Sequence, residues 1–333
     1  MGDDDGGSSV TRRGGAVTEQ VVRTKVVASA PIDSPDANEV VAVGTPLADL
    51  VAVRPHGTDI FHGFGHAGAP QRVMGGQVAA QALAAAGATV DAGRVAHSLH
   101  GYFLREGRPD RVIEYHVGRS RDGRSYSARQ VAAVQDGAEI FVLTASFVRP
   151  GAGPERQLVA PVVPAPDTAP DVYDVWSALH PEAHAQAVYA GAVEVRIVPR
   201  PAGPTAPEAD GTVRQDVWLR SRGPLPDDPL VHACALTYLA DATLAQSSAI
   251  EHEVMYPLRR EHGRVGLASI DHAVWFHRPL RADDWLLLRQ TSTSIASCRG
   301  FNQGTFWSPD GTMVASATQE SVVRLLPDSN DER

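Results

Sequence analysis

Residues 267–280 read LASIDHAVWFHRPL, and an earlier segment, HSLHGYFLREG at residues 97–107, resembles them. Aligning the two segments sets Phe103 against Phe276, an offset of 173 residues. A second pair of segments, QDGAEIFVLTASFV and PDGTMVASATQESVV, aligns at an offset of 174. Two pairs of segments at nearly the same offset indicate an internal duplication. The chain is therefore predicted to contain two halves with the same fold.

Each half shows the same order of predicted elements. An apolar helix begins near Gly76 in the first half, and another runs from about Leu230 to Ser247 in the second. Predicted strands lie at 59–64, 95–105, 112–119, 125–134 and 139–148, and then at 193–198, 214–220, 265–278, 285–293, 299–307 and 313–325. Asp-Gly pairs at 136–137 and 310–311 are typical of tight hairpin turns. One helix wrapped by a curved antiparallel sheet, present twice, predicts the α+β class.

Prolines separate the two halves. The segment RPGAGPERQLVAPVVPAPDTAPD contains six of them, and because proline removes backbone donors and resists helix, the segment predicts an extended linker. The start of the chain lacks apolar periodicity and is expected to be flexible. The predicted organisation is a tail at 1–41, a first unit at 42–149, a linker at 150–190, a second unit at 191–327 and a tail at 328–333.

Composition excludes several classes of protein. The formal net charge is -9 and no Lys/Arg-rich run occurs, so a nucleic-acid partner is not expected. Two cysteines, Cys234 and Cys298, are too few for a disulfide scaffold or a cysteine zinc cluster. No apolar run reaches the roughly 20 residues that span a bilayer. Neither end reads as a targeting signal, so the expected location is cytoplasmic.

The segment 267–280 contains a serine, an aspartate and two histidines, the residue types of a serine hydrolase. On a regular strand alternate side chains face opposite sides, so Ser269 and His272 are predicted to point apart. A catalytic triad requires its members in one hydrogen-bonded line, and no G-x-S-x-G elbow occurs. Asp271 and His277, a possible hydratase pair, would lie about 20 Å apart along the strand. The sequence therefore predicts neither type of site.

Five ordered blocks carry a resemblance to a known family: RVMGGQVAAQAL, HSLHGYFLREG, RDGRSYSARQVAAVQDG, ASIDHAVWFHRPL and ASATQESVVR. From about Pro46 to Leu325 the chain resembles the acyl-CoA thioesterase II family of double hot-dog hydrolases. The resemblance implies a tandem hot-dog fold, an acyl-CoA substrate and hydrolysis to fatty acid and coenzyme A. It implies no metal or redox cofactor. Because hot-dog sheets commonly extend edge to edge, a homo-oligomer is also expected.

The family activates a water molecule with an Asp, a Gln and a Thr. Its motifs fall on Asp241 in YLADATLAQ, on Gln319 in SATQESVV and on Ser269 in ASIDH, where the family has threonine. Serine keeps the hydroxyl group but loses the methyl group that restricts χ1. The resemblance thus implies that these three residues are catalytic, with the serine positioned less firmly than a threonine.

The residues alone leave alternatives open. Asp241 is the only acid in VHACALTYLADATLA, which suits a general base, but a solvent-facing or arginine-paired aspartate fits equally well. Gln319 shares its predicted strand face with alanines, which suits an open binding floor, although a partly exposed strand position explains it better. Ser269 is equally ambiguous. A non-catalytic acyl-CoA binding protein and a hot-dog hydratase are the alternative functions.

The duplication predicts how many sites the chain has. Ala96 aligns with Ser269 and Ala145 with Gln319, and an alanine side chain cannot hydrogen-bond a water molecule. One half therefore keeps the polar residues and the other lacks them. We expect one catalytic site per chain.

Substrate binding is assigned to other residues. Gly75 and Gly76 open the first helix, where unpaired N–H groups can bind a carbonyl oxygen or an anion, although close packing of the helix on the sheet is the favoured explanation of both glycines. Arg299, Arg105 and Arg124 are candidates for contact with the nucleotide phosphates, and the sequence does not decide among them.

Overall fold

The computed structural model describes residues 45–66, 72–179, 191–200, 207–252 and 265–325, so the predicted tails at 1–41 and 328–333 lie outside the described residues. The helices are α1 (Leu47–Leu50), α2 (Gly75–Gly87), α3 (Val172–Leu179) and α4 (Pro229–Thr243), with 3-10 helices at Pro166–Thr168 and Ala245–His252. The strands are β1 (Arg54–Gly57), β2 (Ile60–Gly63), β3 (Val95–Phe103), β4 (Ile113–Asp122), β5 (Tyr126–Gln135), β6 (Ala138–Val148), β7 (Val193–Ile197), β8 (Val213–Ser221), β9 (Val265–Ser269), β10 (Asp271–Phe276), β11 (Leu286–Ala296), β12 (Arg299–Trp307) and β13 (Met313–Leu325).

The thirteen strands of the described residues form one antiparallel sheet in the order β1-β2-β4-β5-β6-β3-β10-β13-β12-β11-β8-β7, with β9 beside β13. This order is symmetric about the junction of β3 and β10. At equal distances from the junction, β6 corresponds to β13, β5 to β12 and β4 to β11. The sheet topology therefore agrees with the predicted duplication, and the two halves join through the β3–β10 pair.

Most predicted elements are present, with ends that differ by a few residues. The predicted strand 265–278 is divided at Ile270, and the predicted helix from Leu230 ends at Thr243 before a 3-10 helix continues. The linker is not wholly extended, because α3 lies within it. Asp171 caps this helix by accepting the N–H groups of Tyr173 and Asp174 at 2.8 and 3.3 Å. The six prolines of the segment at 149–171 all precede this cap, so they do not interrupt the helix.

The helices α2 and α4 lie against each other and against the sheet. Asp228 caps α4 by accepting the N–H of Leu230 at 2.8 Å, and Pro229 occupies the first helical position, where its missing N–H does no harm. Most of α2 is glycine and buried alanine, whose small side chains allow close contact between helices. No helix in the described ranges has the length and apolar character needed to cross a membrane.

The Asp-Gly pairs lie in hairpin turns, as predicted. Asp136 and Gly137 join β5 to β6 with φ values of 50° and 75°, the left-handed conformation that such a turn requires. Gly311, between β12 and β13, has a φ of 83°. These turns bring β6 and β13 to the centre of the sheet, where β13 carries Gln319.

Candidate active site

The carboxylate of Asp241, in the last turn of α4, is a point of contact between the two halves. Its Oδ1 accepts a hydrogen bond from Nε2 of Gln319 at 2.5 Å and one from the hydroxyl of Ser269 at 3.3 Å. Its Oδ2 accepts the backbone N–H of Gly76 at 2.6 Å. The structure thus brings the three residues predicted to be catalytic together with one predicted to bind substrate.

Gln319 is fully buried and connects the members of this cluster. Its Nε2 also donates to Ser269 Oγ at 2.9 Å, so both amide hydrogens are used. The nitrogen must face Asp241, because a carboxylate can only accept. The Oε1 atom is buried and has no hydrogen-bond partner among the described residues. Gln319 does not itself line the cavity beside Asp241, and since buried acceptors are normally satisfied by protein or water, this atom is suited to accept a hydrogen bond from a water molecule.

The two glycines at the start of α2 allow it to approach α4 closely. A Cβ on Gly76 would lie 2.7 Å from Asp241 Cβ and 2.9 Å from the Tyr238 carbonyl oxygen, nearer than real Cβ atoms approach. A Cβ on Gly75 would lie 2.8 Å from the Phe103 ring. The residues alone favoured packing of these glycines on the sheet. At Gly76 the close contact is instead with α4, the helix of the other half. The positive end of the α2 dipole also stabilises the carboxylate of Asp241.

The prediction that Ser269 and His272 face opposite sides is wrong because of a β-bulge. On β13, Ser321 pairs with Ser269, but Thr318 pairs with Ala273, so the edge beside β13 contains one extra residue. The extra residue reverses the alternation of side chains. His272 therefore lies on the same face as Ser269, towards α4.

The first half contains the same irregularity, between Ala96 and Ser98 on β3. In that half Ala96 and Leu99 are buried three positions apart, and in the second half Ser269 and His272 have the same spacing. In both halves the bulge thus places two inward-facing positions three residues apart. The alternation of apolar residues within one strand does not indicate it.

His272 is completely buried between β10 and α4, against the backbone carbonyl of Thr237. Burial lowers the pKa of His272, although the carboxylates of Asp241 and Asp271 act in the opposite direction. No hydrogen bond joins His272 to Ser269 in the described part of the chain. Ser269 instead bonds to Asp241 and Gln319, so the residues do not form a serine-hydrolase triad even though they share a face.

Asp271 and His277 have separate partners. Asp271 accepts the N–H of Glu320 at 2.6 Å and lies 3.0 Å from Nε2 of His100 in the other half. His277 contacts the hydroxyl of Ser316 at 2.9 Å. The two residues do not form a hydratase pair, as the strand geometry predicted.

A cavity of about 620 Å³ opens beside Asp241, and Ser269 and Gly75 also line it. Its walls come from both halves, and the apolar side chains include Val78, Phe103, Ile140, Phe141, Ala242 and Leu267. Tyr173 of α3 contributes from the linker. A ligand in this cavity would have an apolar wall along one part and the Asp241 cluster at another.

The corresponding position in the first half lacks this cluster. At one end of the helix pair Gly76 meets Asp241, and at the other end Gly87 meets Leu230. The helix starts, Gly75 and Pro229, are 154 residues apart. The same offset relates Gly76 to Leu230 and Gly87 to Asp241, so the two contacts are equivalent under the duplication. Gly87 therefore occupies the place of Asp241. Ala96 in β3 and Ala145 in β6 occupy the places of Ser269 and Gln319. The first half therefore has no polar side chain at any of the three equivalent positions.

The arginines named from the sequence lie in different places. Arg299 pairs with Glu320 at 2.9 Å, and neither it nor Arg124 lines the cavity. Arg105 does line it, and so does Arg72, which the sequence did not single out. Within the described ranges, no group of three or more His, Cys, Asp or Glu side chains is arranged to hold a metal ion.

Comparison with known proteins covers most of the chain. Residues 66–148 match the family model described as the acyl-CoA thioesterase N-terminal domain, and residues 163–323 match the model of the acyl-CoA thioesterase C-terminal domain. Acyl-coenzyme A thioesterase 8 from Rattus norvegicus is 34% identical over 319 residues, which are 90% of this chain and 98% of that protein.

Solved structures agree with this result. The crystal structure of an acyl-CoA thioesterase II from Mycobacterium marinum has a TM-score of 0.70 and 37% identity, and the match covers 85% of this chain and 99% of that one. A protein from Alicyclobacillus acidocaldarius described as having a hot dog fold has a TM-score of 0.66 at 22% identity, with 84% and 98% covered, and so shows the fold alone. The chain therefore has a double hot-dog fold and belongs to the acyl-CoA thioesterase family of thioester hydrolases.

Proposed function

We propose that this chain hydrolyses acyl-CoA to a free fatty acid and coenzyme A, with a water molecule activated by Asp241, Gln319 and Ser269. The observation that carries the proposal is the convergence of Gln319, Ser269 and the Gly76 N–H on one carboxylate beside a cavity. These contacts hold the carboxylate in one orientation. A general base must be held in this way to remove a proton efficiently.

In the proposed reaction a water molecule donates one hydrogen bond to Gln319 Oε1 and the other to the carboxylate of Asp241. The water oxygen attacks the thioester carbonyl carbon while Asp241 takes its proton. The carbon–sulfur bond then breaks, and Asp241 returns the proton to the departing thiolate. A thiolate leaves readily, so a covalent enzyme intermediate is not required.

The start of α2 would stabilise the oxyanion. The N–H of Gly76 is already bonded to Asp241, but the N–H of Gly75, at the first helical position, has no partner within the helix. Gly75 lines the cavity, and a side chain there would meet Phe103. A backbone donor at a helix start, with the helix dipole behind it, suits the negative charge that develops on the thioester oxygen.

The test is release of free thiol from a series of acyl-CoA substrates by wild-type protein and by Asp241→Asn. Asparagine keeps the size of the side chain but removes the base, so kcat should fall by about 100- to 10,000-fold. Asp228→Asn is the matched control. It removes a carboxylate from the same helix, and asparagine caps a helix as well as aspartate does, so its kcat should equal that of wild type.

Two outcomes would contradict the proposal. Equal loss of activity in both variants would indicate a general effect of charge or folding rather than a base at position 241. A wild-type protein that binds acyl-CoA without releasing thiol from any chain length would be a binding protein instead.

A further inference from the structure

The charged side chains that line the cavity are not distributed evenly. Four are present: Arg72, Arg105, Glu106 and Asp241. Asp241 is partly buried, whereas the other three are exposed and come from the first half of the chain. The cavity therefore has a carboxylate at its inner part and two guanidinium groups where it opens to solvent.

Arg72 reaches across this opening from one half to the other. Its Nη1 lies 3.2 Å from Oε1 of Glu106, and its Nη2 donates to the backbone carbonyl of Leu267 at 3.1 Å. The Glu106 side chain is 73% exposed and that of Arg72 is 47% exposed. A solvent-exposed pair of this kind contributes little stability, so a stronger anion can replace Glu106 at modest cost.

Arg105 has no carboxylate partner among the residues that the structure describes. Its Nη1 donates to the backbone carbonyl of Glu139 at 2.7 Å, which fixes the guanidinium group while leaving its charge unpaired. An exposed arginine held by a neutral carbonyl at the edge of a cavity is ready to bind an anion. Its planar fork fits two phosphate oxygens at once.

We infer that Arg72 and Arg105 bind the phosphate groups of the coenzyme A part of the substrate. The inference rests on the proposed function, which requires an acyl-CoA in this cavity. The chain carries a formal net charge of -9, so general attraction does not hold a polyanion and local cations must do so. A phosphate displaces Glu106 from Arg72 and gives Arg105 its missing counterion, while the acyl end of the substrate extends towards Asp241.

The test compares two thioesters with the same acyl group, lauroyl-CoA and lauroyl-N-acetylcysteamine, because only the first carries phosphates. For Arg72→Gln and Arg105→Gln, the KM for lauroyl-CoA should rise about tenfold, the loss expected for one charge-assisted contact, with kcat nearly unchanged. The kcat/KM for the short thioester should not change. Arg72→Lys keeps the charge without the fork and should lie between wild type and the glutamine variant.

Arg108→Gln is the control, since Arg108 is exposed, lies three residues from Arg105 and pairs with Asp110 outside the cavity lining. An equal loss with both thioesters, or no change with lauroyl-CoA, would overturn the inference. Calorimetric binding of free coenzyme A to the same variants provides a second measurement. If wild-type protein cleaves neither thioester, the proposed function fails, but the binding measurement still tests the phosphate site. Coenzyme A binding that is unaltered in Arg72→Gln and Arg105→Gln would refute that site.

Discussion

Replacing Gly76 by alanine tests whether the close contact between α2 and α4 positions the carboxylate of Asp241. The new Cβ would lie 2.7 Å from Asp241 Cβ and 2.9 Å from the backbone oxygen of Tyr238, and ordinary contact begins at 3.4 Å. Helices α2 and α4 must then move apart by about 0.7 Å (3.4 less 2.7), because neither the Asp241 Cβ nor the Tyr238 backbone oxygen can rotate away. The Gly76 hydrogen bond to the carboxylate, now 2.6 Å, would lengthen to about 3.3 Å.

A misplacement of this size at a catalytic group typically costs up to about 100-fold in rate. We therefore expect kcat for acyl-CoA hydrolysis to fall by about 10- to 100-fold in Gly76→Ala. The overpacked helix contact should lower the free energy of unfolding in urea by about 1–3 kcal/mol. The two quantities can be measured on one preparation, by thiol release and by fluorescence.

Gly87→Ala is the control, because it lies in the same helix and its Cβ would meet the flexible end of the Leu230 side chain, which can rotate away. This variant should keep the wild-type kcat. If Gly76→Ala also keeps the wild-type kcat while losing stability, the Gly76 N–H does not position the carboxylate, and the reasoning is refuted.

Three other outcomes follow from the structure. Ser269→Thr keeps the hydroxyl and should retain kcat within about threefold. Ser269→Ala should lower kcat about tenfold or more, because a hydrogen bond to a charged group is lost. Equal kcat in both variants would show that the hydroxyl has no part in the mechanism. Burial lowers the pKa of His66 from 6.5 to about 4. The contribution of this residue to the free energy of unfolding is therefore fully present above pH 6.5 and is lost as the pH falls below that value, by about 2 kcal/mol at pH 5. Urea unfolding of His66→Gln should show a smaller loss between pH 7.5 and 5, and an unchanged loss would exclude His66 as its source. Ellman's reagent should label exposed Cys298 in the folded protein. It should label Cys234 only after unfolding, because that thiol is buried and burial raises its pKa. Two reactive thiols in the native state would contradict the burial of Cys234.

The sheet and the helices could be predicted from the sequence because each strand shows a regular alternation and the duplication supplies every element twice. The bulge after Ser269 could not be predicted from that alternation, because one inserted residue leaves the apolar pattern on each side intact. It changes only the relation between the two sides. For this reason the alternation predicts the wrong face for His272.

The members of the candidate site could be named from motifs, but their mutual contacts could not. Asp241 and Gln319 are separated by 78 residues, and Gly76 and Asp241 by 165. The first contact depends on how α4 lies against β13 and the second on how α2 and α4 pack, and no local sequence pattern determines either. The predicted helix begins at Leu230, one residue after the observed start at Pro229 and two residues after its cap, Asp228.

The hydrogen bond between Gly76 and Asp241 makes each half of the chain depend on the other. Two identical copies of one ancestral unit would form two equivalent clusters, each combining the helix start of one copy with the carboxylate of the other. In this chain Gly87, Ala96 and Ala145 stand at the positions of one such cluster, so only the other cluster has its polar side chains. That cluster combines residues of both halves across a separation of 165 residues, so neither half on its own would contain it.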